Sequence, residues 1–201
     1  MTTLAEEFPA LAEQVQTMLA VCHRLYEKGF VIAYDGNVSV RIGDHILVTP
    51  THLSKGAVQE EDLIVVDLRG DVCFGNRKPS SELRLHLALY EKKPTCRAIV
   101  HAHPLYATTI YRRGRAPEIS CLMEAALSLG EHVPLVPFAD HGTQALADAV
   151  GAAMREEDVC ACVLERHGTV TVGDDLWQAY FRTESLERLA HTETILATAN
   201  F

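Results

Sequence analysis

Apolar residues recur three or four apart at Leu11, Val15, Met18, Leu19, Cys22 and Leu25, which predicts an amphipathic helix ended by Gly29. The pattern then shortens to FVIAY (30–34), NVSVRI (37–42), HILVTP (45–50) and LIVVDL (63–68), read as strands, with an RGD turn after the last. Pro79-Ser80-Ser81 marks a helix start, followed by ELRLHLALYEKK and stopped by Pro94. CRAIVHAH predicts a strand and PLYATTIYRRG a helix opened by proline. EISC (118–121) and VPLVPF (133–138) read as short strands, and TQALADAVGAAMREED as a helix. VCACVLERHG reads as a strand running into a turn and TVTVG as a further strand, before a long amphipathic helix from Leu176 to about Ala197.

Strands and helices intermix along the whole chain, with no repeat, low-complexity stretch or linker. This predicts one layered α/β domain over residues 1–201, its mixed sheet covered on both faces. A net charge of −9 argues against nucleic acid as a partner, because no basic field is present to displace counterions. An anionic substrate would have to be met by local dipoles. The N-terminus lacks a signal-peptide apolar stretch and no apolar run is long enough to span a membrane, so the expectation is a cytoplasmic protein without a membrane partner. The six cysteines are scattered, which suits reduced thiols. Cys160 and Cys162 alternate on a strand and so share a face, but VCACVL is apolar enough to make them buried structural thiols.

His101 and His103, two apart on a strand, project to the same face. Such a pair suits a divalent metal; it also suits two imidazoles hydrogen-bonded at a strand end. His167-Gly168 ends a second apolar strand at a sharp turn, and convergence of the two strand ends would give three ligands with an open position. The other histidines (His23, His45, His52, His86, His132, His141, His191) read mostly as surface or helix-face residues. Glu82 in the first helical turn suits the macrodipole, and equally suits a base between a metal and an anion held at that helix start. The stretches around Asp35-Gly36-Asn37 and Thr49-Pro50-Thr51 fit the same pocket or simple turn chemistry.

Taken in order, GNVSVR, VTPT, PSSE, HAH and HG resemble the class II aldolase/adducin family, and within it the L-fuculose-1-phosphate aldolase type, over about residues 11–195. The resemblance implies a three-layer α/β/α fold with a central mixed, largely antiparallel sheet. It implies a homotetramer with active sites at subunit interfaces, and a divalent metal, usually zinc. By matching positions, His101, His103 and His167 would hold the metal and Glu82 would be the catalytic acid/base, while Asn37, Thr51, Ser80 and Ser81 would surround a substrate phosphate. Three imidazoles suit Zn2+, with Mn2+ or Co2+ as alternatives.

This chain departs from the pattern at three places. Cys121 stands where those enzymes carry a tyrosine proton donor, His52 replaces the glycine after TPT and alters the backbone there, and a C-terminal segment bearing another tyrosine is absent because the chain stops at Phe201. Glu124 is therefore the candidate second proton donor, against a reading as a solvated helix-start residue, with Tyr106 and Tyr111 as weaker substitutes. The expected activity is metal-dependent cleavage of a short phosphorylated ketose to dihydroxyacetone phosphate and an aldehyde through an enediolate. The alternatives are sugar-acid phosphate decarboxylation or methylthioribulose-phosphate dehydration at the same site, and, remotely, a non-catalytic adducin-like interaction domain.

Overall fold

The first long helix forms where the periodicity places it. A computed structural model describes residues 3–199 of the chain, which opens with a short turn of helix, α1 (Leu4–Glu7), capped by Thr3, and continues as α2 (Pro9–Glu27). A meander follows: β1 (Asn37–Ile42), β2 (His45–Val48), β3 (Ile64–Asp67) and β4 (Val72–Phe74). Then come α3 (Leu83–Lys92), β5 (Ala98–Ala102), α4 (Leu105–Thr109), α5 (Met123–Leu129) and β6 (Leu135–Val136). The chain ends with α6 (Gln144–Ala153), β7 (Ala161–Leu164), β8 (Thr169–Gly173) and α7 (Leu176–Thr198).

The strands form one eight-stranded sheet in the order β4-β3-β2-β1-β5-β8-β7-β6. Every pair is antiparallel except β6–β7. Strand alternation divides the core between two faces. Val38, Val40, Leu47, Val65, Ala98 and Val100 pack with α2 and the start of α7. Ile46, Val48, Ile64, Val66, Ile99 and Val170 pack with α3 and α6 on the opposite face. The rest of α7, with α4 and α5, covers Ala161 and Val163. The architecture is the three-layer α/β/α arrangement with a largely antiparallel mixed sheet.

Two segments read as strands are not strands. In 30–34 the Phe30 and Val31 amides close the end of α2 on the Leu25 carbonyl, Ala33 takes φ +47°, and the Ile32 amide donates to the Asp35 carboxylate. No row of free donors remains for a ladder. EISC becomes a 3-10 turn at Ile119–Cys121, because the Glu118 amide is taken by the buried Glu193 carboxylate on α7. VPLVPF shrinks to Leu135–Val136, flanked by Pro134 and Pro137, which have no amide hydrogen to give a ladder. Among the described residues no helix is long and apolar enough to cross a membrane.

Candidate active site

The three neighbouring strands β1, β5 and β8 bring the site together at one end of the sheet. Asn37, the first residue of β1, lies opposite His101, and Ala102 lies opposite Thr169, the first residue of β8. Along β5 the residues Ala98, Val100 and Ala102 face α2 and α7, so His101 falls on the α3 side. His103 follows just beyond the strand, its amide donating to the Phe30 carbonyl at 2.8 Å. His167 sits in the tight β7–β8 turn, closed by Leu164 N–H to the Gly168 carbonyl (2.8 Å) and His167 N–H to the Leu164 carbonyl (3.2 Å). Gly168 has to be glycine, since a Cβ would lie 2.4 Å from His103 Cδ2 and 2.6 Å from the Ala102 carbonyl oxygen. The HAH and HG motifs thus pack directly on each other.

Each of the three histidines offers a ring nitrogen, all within 4.8 Å of one another. His101 Nε2 lies 3.1 Å from His103 Nε2 and 3.0 Å from Glu82 Oε2, and His167 Nε2 lies 3.3 Å from Glu82 Oε1. The far sides of two rings are anchored: His101 Nδ1–H donates to the Thr169 carbonyl at 2.9 Å, and His103 Nδ1–H to Asp35 Oδ2 at 3.2 Å. Those bonds place the ring N–H on Nδ1 and leave the Nε2 lone pairs turned inward, the arrangement metal-binding imidazoles need. Glu82 Oε1 is buried without a hydrogen-bond donor, a further sign that the group is built around a cation. The donor set fits a divalent metal.

The charges follow from the same contacts. Burial pushes the Glu82 carboxyl up, but His101, His167 and the Asn37 amide outweigh it and hold the group well below the usual carboxylate range. Burial lowers His101, yet the Glu82 charge and the Thr169 carbonyl raise it overall. Burial depresses His103, and burial together with the neighbouring His101 brings His167 down to about 4.

Behind Glu82 runs a buried hydrogen-bonded line. Asn37 Nδ2 donates to Glu82 Oε2 (3.1 Å), and Asn37 Oδ1 meets His86 Nε2 (2.5 Å). His86 Nδ1 meets Ser39 Oγ (2.6 Å), which meets the Tyr90 hydroxyl (2.7 Å). Glu82, His86 and Tyr90 are spaced by four on α3, and Asn37 and Ser39 by two on β1, so a helix stripe interlocks with alternate strand positions. Burial keeps the His86 imidazole neutral, its pKa pushed down to about 3. His86 is thus an inward-facing member of the site, not a surface group.

A cavity of about 430 Å³ opens beside the histidines, of a size for a small ligand. Asn37, Thr51, Ser80 and Ser81 line it with Glu82, His103 and His167. The two serine- and threonine-bearing loops meet because Ser80 N–H donates to the Thr49 carbonyl (3.2 Å) and Thr51 N–H to the Lys78 carbonyl (3.1 Å). Asn37 spends its carbonyl on His86 and one amide hydrogen on Glu82, leaving the other for a ligand. His52 takes φ +55°, so the residue in the glycine's place adopts the left-handed backbone that glycine favours.

Glu124 does not line this cavity. It is exposed on α5 and borders a separate hollow with Leu122, Ala125, Glu184, Ser185 and Arg188, so one chain by itself does not bring it beside Glu82. Cys121 packs among Ile119 and Leu122, Tyr111 lies against the same core, and Tyr106 stacks on His191 at 3.8 Å. These are packing roles. Asp35, in a stretch that suits this pocket by sequence, lines the cavity, and so does His141, which by sequence reads as a surface residue. The signal for Asp35 is its place one residue before the Gly36 turn, whose missing Cβ lets the His101 carbonyl approach. Replacing Asp35 with alanine is expected to weaken metal binding about 10- to 100-fold, as for other carboxylates behind a metal-binding histidine, read by competition with a chelating dye.

Comparison with known proteins agrees with this geometry. The curated L-fuculose phosphate aldolase of Methanococcus maripaludis (strain C7) is 36% identical over 178 residues, covering 89% of this chain and 94% of that protein. A 3-oxo-tetronate 4-phosphate decarboxylase of Haemophilus influenzae is 34% identical over 190 residues, covering 88% of this chain and 85% of its own. The crystal structure of L-fuculose-1-phosphate aldolase from Thermus thermophilus superposes with a TM-score of 0.82 at 28% identity, covering 94% of this chain and 99% of that one. The family pattern described as class II aldolase and adducin N-terminal domain matches residues 16–194. With its histidine triad and its aldolase relatives, the chain belongs to the class II aldolase and adducin N-terminal domain family, on the enzymatic, lyase side of it.

Proposed function

We propose that the protein is a zinc-dependent lyase that breaks a carbon–carbon bond in a short phosphorylated keto sugar, with aldol cleavage to dihydroxyacetone phosphate and an aldehyde as the leading reaction. The observation that carries this reading is the convergence of the His101, His103 and His167 ring nitrogens on Glu82, with Glu82, His103 and His167 on the cavity wall and His101 buried behind them, next to the hydroxyl-bearing start of α3. His101, His103 and His167 would hold the metal, which supplies Lewis acidity for the charge that develops on the substrate's oxygens. Asn37, Thr51, Ser80 and Ser81 would seat the phosphate, the α3 N-terminus adding its dipole. Seating the phosphate there places the carbon chain along the face that holds Glu82. Glu82 is ionised and held by the Asn37 amide, so it takes a proton from the substrate and returns one to carbon.

The second proton donor would come from a neighbouring copy. Glu124 shares α5 with Met123 (74% exposed) and Leu127 (83% exposed), an apolar face that another subunit would cover. A homotetramer assembled through such faces would carry Glu124 to a partner's cavity. Decarboxylation of a sugar-acid phosphate is the second reading, favoured by Arg166, which lines the cavity and pairs with no carboxylate among the described residues.

The experiment is to purify the protein without an affinity tag, measure bound metal, and incubate it with fuculose phosphate, ribulose phosphates, a methylthioribulose phosphate and a phosphorylated 3-keto sugar acid. Aldehyde, CO₂ and dehydration product are scored separately. Activity should vanish with a chelator and return with added zinc. Absence of turnover on all of these phosphorylated substrates with metal supplied would count against the lyase reading.

A further inference from the structure

Resting on that lyase reading, and turning it from aldol cleavage towards its decarboxylation branch, the inference concerns the end of the substrate opposite the phosphate. Arg166 immediately precedes His167 in the β7–β8 turn and lines the same cavity. Its backbone has φ +59°, a left-handed conformation that glycine or asparagine adopts at less cost than arginine. The side chain is held all the same. Its guanidinium lies over the Phe138 ring at 4.4 Å, the Phe138 amide donates to the Glu165 carboxylate at 3.1 Å, and the Glu165 amide donates to the Val136 carbonyl at 2.9 Å. The turn that carries His167 therefore also sets a guanidinium at the cavity's edge, where Arg166 itself is exposed and rests on the half-exposed Phe138 ring.

No carboxylate pairs with Arg166 among the described residues, although Asp35, Glu82 and Asp140 line the same cavity. Asp35 and Glu82 are committed to His103, His101 and His167. Of the lysines and arginines among the described residues, Arg166 alone is on the cavity wall, and the residues assigned to the phosphate are neutral. A planar fork of donors with no partner suits a carboxylate.

We infer that Arg166 is a specificity-determining residue that receives a carboxylate of the substrate, so that the preferred ligands are phosphorylated sugar acids, anionic at both ends, rather than ketose phosphates with a neutral end. Hydrogen bonds from a charged group to a carboxylate contribute about 1.5–3 kcal/mol, or about ten- to a hundred-fold in affinity.

The test titrates the zinc-loaded protein by calorimetry with 4-phosphoerythronate, erythritol 4-phosphate and unphosphorylated erythronate. The wild type should bind 4-phosphoerythronate at least about tenfold more tightly than erythritol 4-phosphate. Arg166→Gln should erase that preference with erythritol 4-phosphate binding unchanged, and Arg166→Lys should retain part of it. Equal binding of the two phosphorylated ligands by the wild type would overturn the inference and leave the lyase reading standing. So would a preference that survives Arg166→Gln, or a uniform loss for both ligands, which would make Arg166 a phosphate contact. A change of oligomeric state in Arg166→Gln, at unaltered selectivity, would assign the arginine to a subunit contact instead. If neither phosphorylated ligand binds, the phosphate site itself is wrong and the inference fails with it.

Discussion

Glu82→Gln is expected to lower turnover by about 10²- to 10⁴-fold while leaving the metal content and the fold unchanged. Glutamine keeps the length and shape of the side chain and can still accept the Asn37 amide, but it cannot take up a proton at neutral pH. In the structure Glu82 is 7% exposed and faces the histidine triad on one side and the cavity on the other. A structural role for the carboxylate would show instead as lost metal or a lowered melting temperature. Metal analysis and circular dichroism beside the kinetics separate the two, and turnover within tenfold of the wild type would remove Glu82 from the chemistry.

The second large effect is on acid stability in the metal-free protein. His86 is fully buried and its pKa is pushed down from its ordinary 6.5 to about 3. The folded protein thus leaves this ring neutral where the unfolded chain would protonate it. Between pH 6.5 and about 3 the unfolded state binds the extra proton, so stability falls as the pH falls, by up to about 1.4 kcal/mol per pH unit for one such group. His103 and His167, also lowered, act in the same sense below their ordinary 6.5. His101 is raised, so its contribution is present below 6.5 and is lost as the pH rises through its folded value. Glu82, depressed from an ordinary 4.5, adds its loss only below that value. Urea unfolding of metal-free protein between pH 6.5 and 4.5 should therefore give a shallower slope for His86→Gln than for the wild type. Parallel slopes would mean that the imidazole is not held neutral by the fold.

The site was partly legible in the chain because its candidate residues obey short-range rules. His101 and His103 share a strand face by alternation, His167 precedes a glycine that packing demands, and Ser80 and Ser81 open a helix. What escaped was pairing between elements. His86 looked like one more residue of an amphipathic helix, yet Glu82, His86 and Tyr90 recur by four on α3 and Asn37 and Ser39 alternate on β1. Each stripe is visible on its own; only the docking of helix on sheet shows that they match. The segment 106–130 was the least legible part. Its turns are set by distant carboxylates, Glu187 accepting the Tyr106 and Ala107 amides and Glu193 binding Arg113, Arg115 and the Glu118 amide. Local propensity carries no trace of partners some 75 or more residues away. The strand assigned to 30–34 failed for a related reason, since a β-prone composition does not reveal that helix closure has already claimed the amides.

The interlocked line from Glu82 to Tyr90 also limits how α3 can lie on the sheet. Apolar side chains alone would tolerate a slide of one helical turn, trading one leucine for another. Such a slide would strand Asn37, Ser39 or His86 away from water without a counterpart, at about 1–3 kcal/mol for each unsatisfied group. The polar thread therefore acts as an alignment key, setting the depth at which the carboxylate reaches the histidines and ruling out near-native dockings that a greasy interface would allow.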